Sequence, residues 1–170
     1  MIKTLRHRLP HGIELSCRVS GEAGRPVLLF LHGFPEAAFA WDELLTHFAQ
    51  SEHGGYRCVA PNLRGFADSS SPSEVAAYRA KHLVQDVMAL IEIESGAHGL
   101  AALVAHDWGG ALAWNLANLH PAELHRRADA QAGDRLREIG FHAQAVLPKQ
   151  AGAKENHGHH DESQGEQNEH

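Results

Sequence analysis

Val104-Ala105-His106-Asp107-Trp108-Gly109-Gly110 closes a short apolar strand and opens a helix, with a carboxylate at the bend between them. A side chain can stand above the edge of a sheet at such a junction only if the chain turns tightly, so strand and helix need small neighbours to approach each other. Ala105, Gly109 and Gly110 supply them. Asp107 then lies at the start of a helix, where unsatisfied N–H groups and the helix dipole favour negative charge. With an ordinary aspartate pKa of about 3.9 it is ionised at neutral pH. A carboxylate placed this way can attack an electrophile without a general base. About seventy residues upstream, Phe30-Leu31-His32-Gly33-Phe34-Pro35 also ends an apolar strand in a turn. The backbone N–H of Trp108, directly after the acid, and that of Phe34 are the natural pair to hold a developing oxyanion. Pro35 restricts the backbone of Phe34 and therefore the direction of that N–H.

The elements around the two turns follow from periodicity. Ile13, Leu15, Cys17 and Val19 alternate with Glu14, Ser16 and Arg18, the period of a strand with one wet face; Pro10-His11-Gly12 marks a turn from an earlier strand over Lys3–Leu9. Val27–Leu31 does not alternate, which suits a strand buried on both faces. Trp41, Leu44, Leu45 and Phe48 form a helical stripe, as do Leu83, Val87, Leu90 and Ile91, with Gly96 at the stop. Between them Tyr56–Ala60 reads as a short strand ending at Pro61. Leu100–Ala105 is the fifth strand, and Leu112, Leu116 and Leu119 mark the last clear helix, up to Pro121. A hairpin followed by alternating strands and helices predicts an α/β fold: a mostly parallel sheet with flanking helices and an N-terminal hairpin.

Composition narrows the function. In 170 residues with 43% apolar content there is enough apolar material for one domain with a real core. A formal net charge of -6 with scattered Lys and Arg argues against a nucleic-acid partner. No apolar run approaches a membrane span, and Met1-Ile2-Lys3-Thr4-Leu5-Arg6 lacks the apolar core of a secretory signal, so no membrane partner and a cytoplasmic location are expected. Cys17 and Cys58 lie on strands at no metal or redox spacing and are expected to be buried, reduced thiols. No cofactor and no metal are implied.

The two turns together resemble the α/β-hydrolase superfamily, in the branch with an aspartate nucleophile that contains epoxide hydrolases and haloalkane dehalogenases. The resemblance rests on His32-Gly33-Phe34-Pro35-Glu36, on Ala105-His106-Asp107-Trp108-Gly109-Gly110, and on Asn62-Leu63-Arg64-Gly65-Phe66-Ala67-Asp68-Ser69-Ser70, in the family's order over residues 1–121. Ala105 and Ala67 stand where the family usually has glycine. Each adds a methyl where the backbone is expected to be crowded or to need positive φ. The resemblance implies a two-step displacement: Asp107 attacks a carbon of a small hydrophobic epoxide or halide, and water activated by a His–acid pair cleaves the resulting alkyl ester. It assigns the oxyanion hole to the amides of Phe34 and Trp108 and gives the Trp108 indole N–H a place facing the leaving group; simple packing of that ring stays open beside it. His32, Gly33, Pro35, His106, Gly109 and Gly110 are expected to support the two turns, the histidines as hydrogen-bonded loop holders. Arg64 and Asp68 are expected to tie down their own loop. The wording Phe34-Pro35-Glu36 favours an epoxide over a haloalkane or haloacid substrate.

After Pro121 the pattern fades. Residues 122–150 read as irregular or weakly helical, with a charged helix over Ala128–Ile139 and no later strand; residues 151–170 read as a disordered tail rich in histidine and acid. The histidines there, His125, His142, His157, His159, His160 and His170, follow no strand that would bring them to Asp107, and none is assigned as the base. His157, His159, His160 and Asp161 lack the outer partners of a metal site and read as a solvated end. The chain is therefore expected to be a truncated or frameshifted member of the superfamily. It keeps the nucleophile and lacks the His–acid half, with a non-catalytic remnant or interaction protein as the contrasting reading. A sheet ending at Leu100–Ala105 would expose an apolar edge and invite self-association.

Overall fold

A computed structural model of the chain describes residues 1–96, 100–120 and 145–146. The strands are β1 (Lys3–Arg8), β2 (Glu14–Ser20), β3 (Val27–Leu31), β4 (Arg57–Pro61), β5 (Leu100–Ala105) and β6 (Ala145–Val146); the helices are α1 (Asp42–Phe48), α2 (Ala80–Ser95) and α3 (Asp107–Leu119). The sheet runs β1-β2-β4-β3-β5-β6. β3 pairs in parallel with β4 and with β5, while the hairpin β1–β2 and the joints β2–β4 and β5–β6 are antiparallel. The sheet is therefore mixed, with a parallel centre and antiparallel margins.

All five residues of β3 and all six of β5 are buried, as a run without alternation requires. Side chains alternate across β3. Leu29 and Leu31 meet Val84, Val87, Leu90 and Leu116 of α2 and α3, whereas Leu28 and Phe30 meet Trp41, Leu45 and Phe48 around α1. Trp41 does not open α1 as its place in the stripe predicted. It closes a short 3-10 turn over Ala38–Trp41, and its indole leans on Phe30 with ring centres 5.5 Å apart. Cys17 and Cys58 are free and buried, and burial pushes the Cys58 thiol up to about 12.

The expectation that no strand follows β5 is corrected by β6, which pairs Ala145 with Ala105 and Val146 with Val104. Two residues are too few to register as alternation, so only the tertiary pairing reveals this strand. It occupies the end of the β5 edge nearest the helix junction, the edge for which self-association was expected. The expected helix over 128–139, the tail over 151–170 and the downstream histidines lie outside the described residues. No helix among the described residues is long and apolar enough to cross a membrane.

Two buried ion clusters stitch the hairpin side to α2. In one, Arg64 grips Asp86 in bidentate fashion at 2.8 and 2.6 Å, and His11 Nε2 lies 2.6 Å from the same carboxylate. In the other, Arg57 Nε donates to Glu94 at 2.9 Å and His7 Nε2 lies 2.9 Å from Glu94 Oε1. Burial alone would raise the Glu94 carboxyl; His7 and Arg57 reverse this and hold it at about 2. A depressed folded-state value means stabilisation that is complete above the unfolded value near 4.5 and is lost as pH falls toward 2. The unfolding free energy read from urea denaturation is expected to fall over that window, by at most about 3 kcal/mol from this group. Glu94→Gln should flatten that part of the pH profile.

Candidate functional site

The register of the central strands builds the site. Leu31 of β3 lies opposite Ala105 of β5, so the parallel strands end level and the turns that follow them meet above the sheet. Asp107, two residues past β5, adopts φ 51°, a left-handed conformation that costs a residue with a Cβ on the order of 1–2 kcal/mol. Such strain persists only where the surroundings fix it. Here they do: His106 donates its N–H to Leu31 O at 3.2 Å and accepts from Gly110 N–H at 3.2 Å, joining the strand ladder to the first turn of α3.

The small residues have a measurable purpose. A Cβ on Gly109 would lie 2.4 Å from Leu31 O and 2.7 Å from His32 O, so α3 can start this close to β3 only with glycine there. On Gly33 it would lie 2.5 Å from Asp107 Cβ and 2.6 Å from Oδ1. The two turns are therefore in van der Waals contact through glycine on both sides.

Across that contact Phe34 N–H donates to Asp107 Oδ1 at 2.9 Å. The backbone N–H groups of Phe34 and Trp108 hold the Asp107 carboxyl below the usual aspartate range, Phe34 with the larger effect. The site thus presents an ionised carboxylate held by two main-chain donors, one from each turn, with the Phe34 N–H on Oδ1. The Phe34–Pro35 peptide is cis, and Glu36 N–H returns to Gly33 O at 3.2 Å to close the turn.

The remaining predicted residues fall around this centre. His32 is fully buried beneath the turn; Nδ1 lies 2.9 Å from Gly33 O, and Nε2 accepts from Leu63 N–H at 3.0 Å. Burial lowers its pKa, against the pull of the Gly33 carbonyl. His106 is exposed and its Nδ1 lies 4.0 Å from Glu36. Trp108 is 67% exposed and Phe34 65%, so neither ring is packed in the core, although each belongs to a turn that holds the carboxylate. Arg64 ties its loop to α2 through Asp86, as well as to Ala77 O. Asp68 contributes its carbonyl, accepting from Arg6 at 3.2 Å. Ala67 has φ 45°, in the left-handed region that favours glycine.

Sequence reasoning passed over Asp86 and the detailed role of Asn62. Asn62 is buried, and its Oδ1 accepts from Ala38 N–H at 2.8 Å, fixing the segment after the Phe34 turn. Neither residue carries a local signal, because both partners are distant in the chain. Among the described residues no group of three His, Cys, Asp or Glu side chains converges as metal ligands.

Comparison with known proteins places this geometry. Residues 26–126 match the alpha/beta hydrolase fold family. The chain is 41% identical over 109 residues to epoxide hydrolase 3 of Xenopus tropicalis, covering 64% of this chain and 28% of that one. It is 37% identical over 110 residues to epoxide hydrolase A of Mycobacterium tuberculosis, covering 65% and 33%. Among solved structures, an epoxide hydrolase of Vigna radiata superposes with TM-score 0.65 at 38% identity, over 73% of this chain and 36% of that one. Epoxide hydrolase A of Mycobacterium thermoresistibile gives 0.66 at 32% identity, over 74% and 37%. The chain thus spans about a third of the length of these relatives. With the strand order, the glycine-lined bend and the matched residues in agreement, the chain belongs to the alpha/beta hydrolase fold family.

Proposed function

We propose that this chain carries the nucleophilic half of an epoxide-hydrolase-type site, with Asp107 as nucleophile and the amides of Phe34 and Trp108 as oxyanion hole. The observation that carries the reading is the 2.9 Å hydrogen bond from Phe34 N–H to Asp107 Oδ1 across the two turns. With Oδ1 held, Oδ2 is the oxygen that attacks: it forms a C–O bond to an epoxide carbon while the C–O bond of the ring breaks, and the alkoxide leaving group takes a proton from solvent water. The product is an alkyl ester on Asp107. Water attack on Cγ of that ester would place negative charge on Oδ1, the atom to which the Phe34 N–H already donates. The rings of Phe34 and Trp108 suit a small hydrophobic substrate. The relatives named above, all epoxide hydrolases, favour an epoxide over a halide.

Ester cleavage needs a base. Of the His–acid pairs seen among the described residues, His7–Glu94 and His11–Asp86 join the β1–β2 hairpin to α2, and β4 and β3 lie between that hairpin and β5. The third, His106–Glu36, flanks Asp107 but is exposed and at 4.0 Å is too long for a hydrogen bond that would orient the ring. Neighbouring strands are about 4.8 Å apart, so neither of the two hairpin pairs is placed to activate water at Asp107. His32 has both ring nitrogens engaged. The expected outcome is one alkyl group per chain without turnover. Incubation with a panel of reactive epoxides, followed by intact-mass spectrometry and peptide mapping, tests it. A single increment on the peptide containing Asp107 supports the reading, whereas diol released over many cycles shows a base acting on the ester. Release of halide from alkyl halides in place of epoxide opening would move the substrate class.

Crowding gives a second check. Gly33→Ala sets a methyl against Asp107 Cβ and Oδ1, and since the elbow is braced on backbone the carboxylate has to yield. A displacement near 1 Å costs roughly a hundredfold in rate. Ester accumulation in Gly33→Ala, followed by mass, is expected to slow by about that factor.

A further inference from the structure

We infer that His32 is a positioning residue: by donating from Nδ1 to the Gly33 carbonyl, it sets the plane of the Gly33–Phe34 peptide and so aims the Phe34 N–H at Asp107. The link to catalysis rests on the reading of Asp107 as nucleophile, whereas the orientation stands on the geometry alone.

The argument starts from hydrogen-bond accounting. The His32 ring is wholly buried, and each ring nitrogen has one main-chain partner. Leu63 N–H can only donate, so Nε2 is the bare nitrogen; the Gly33 carbonyl can only accept, so Nδ1 carries the proton. A single neutral tautomer satisfies both. A ring in contact with Phe66, with centres 4.8 Å apart in an edge-on arrangement, is further fixed in direction.

The carbonyl of Gly33 and the N–H of Phe34 belong to one peptide group. In a trans peptide these two dipoles lie in one plane and point in opposite directions. Drawing the oxygen inward to His32 turns the N–H outward, where Asp107 Oδ1 receives it at 2.9 Å. The Phe34 ring is too exposed to hold that plane by packing, and Gly33 has no side chain with which to do so. The oxygen has one other donor, Glu36 N–H, at the longer distance of 3.2 Å. Loss of His32 should therefore loosen the peptide without releasing it. Because Leu63 follows β4, the ring couples the loop after β4 to the oxyanion donor after β3.

Two substitutions separate this role from mere core filling. The amide nitrogen of Asn reaches the place of Nδ1, whereas that of Gln reaches the place of Nε2. In the full-length chain labelled with 13C and 15N, the Asp107 carboxyl titration and the Phe34 amide resonance read the hydrogen bond directly. His32→Gln is expected to raise the Asp107 midpoint by about half a unit or more and shift the Phe34 amide proton upfield. His32→Asn is expected to keep both near the wild-type values, even if it costs more stability. Adduct formation with a reactive epoxide should slow about tenfold in His32→Gln only. If Asp107 is not the nucleophile, no adduct forms in any of the proteins and the titration pattern persists. A His32→Gln protein with unmoved Asp107 and Phe34 signals would overturn the inference, as would a His32→Asn protein that moves them equally. Should both variants fail to fold, the wild-type ring decides: 15N shifts must show Nδ1 protonated and Nε2 bare, and the opposite tautomer sinks the idea.

Discussion

Asp107→Asn is expected to abolish the alkyl adduct while leaving the fold in place. The carboxamide is nearly the same size as the carboxylate, and its oxygen can still accept from Phe34 N–H, the bond measured at 2.9 Å in the native site. What disappears is the anionic oxygen that attacks. Removing a nucleophile that acts with its oxyanion hole typically costs several orders of magnitude, so adduct formation should fall at least about a thousandfold. Replacing an ionised group in a left-handed turn with Asn, which tolerates that conformation, should change stability little. Equal adduct formation in native and Asn proteins would place the reactive group elsewhere. Because the two amides hold the native carboxyl below the ordinary aspartate range, alkylation by the native chain should persist under mildly acidic conditions in which an unassisted aspartate would be partly protonated.

Gly109→Ala is expected to produce the largest loss of stability of any single methyl added near the site. The new Cβ would meet main-chain atoms only: Leu31 O at 2.4 Å, and Leu31 C and His32 O at 2.7 Å. These atoms belong to β3 and its continuation, paired on both sides by β4 and β5, so no flexible side chain can move aside. Overpacking of a core usually costs about 1–3 kcal/mol, and here the rigid partner argues for the upper end, about 3 kcal/mol. That is a large share of the roughly 5–15 kcal/mol that holds an ordinary domain folded. Urea denaturation followed by circular dichroism measures it directly. An unchanged midpoint would mean that α3 does not start against β3 as described.

Much of this arrangement could be read from local pattern. The unbroken apolar runs of β3 and β5 and the stripe of α2 each reflect which faces of one element are buried, and that information repeats every two or three to four residues. The wet face expected of β2 is corrected, because Ser16 and Ser20 are buried with Leu15, Cys17 and Val19, and the α3 stripe stops at Leu116, with Leu119 exposed. The sequence left open whether the alanines at positions 67 and 105 meet crowding or positive φ; in the structure it is Ala67 that has positive φ. β6 was not legible, because two paired residues make no period. Asp86 was not legible either: its value to the fold comes from Arg64 and His11, on other elements, and nothing in the helix around it announces either partner.

The sequence by itself determined that residues 100–119 form a strand, a tight bend and a helix, with an acid at the bend and only small residues able to close it. These are consequences of backbone sterics and side-chain period over short stretches. Only the tertiary structure decided that the acid has a partner 73 residues away, that its carboxylate meets main-chain donors from both turns, and that a buried imidazole lies against the carbonyl of the peptide that supplies one of them. Each of those depends on β3 and β5 lying side by side with Leu31 opposite Ala105. A register shifted by a single residue would carry the Phe34 amide about 3.3 Å along the strand axis, beyond hydrogen-bond reach of Asp107.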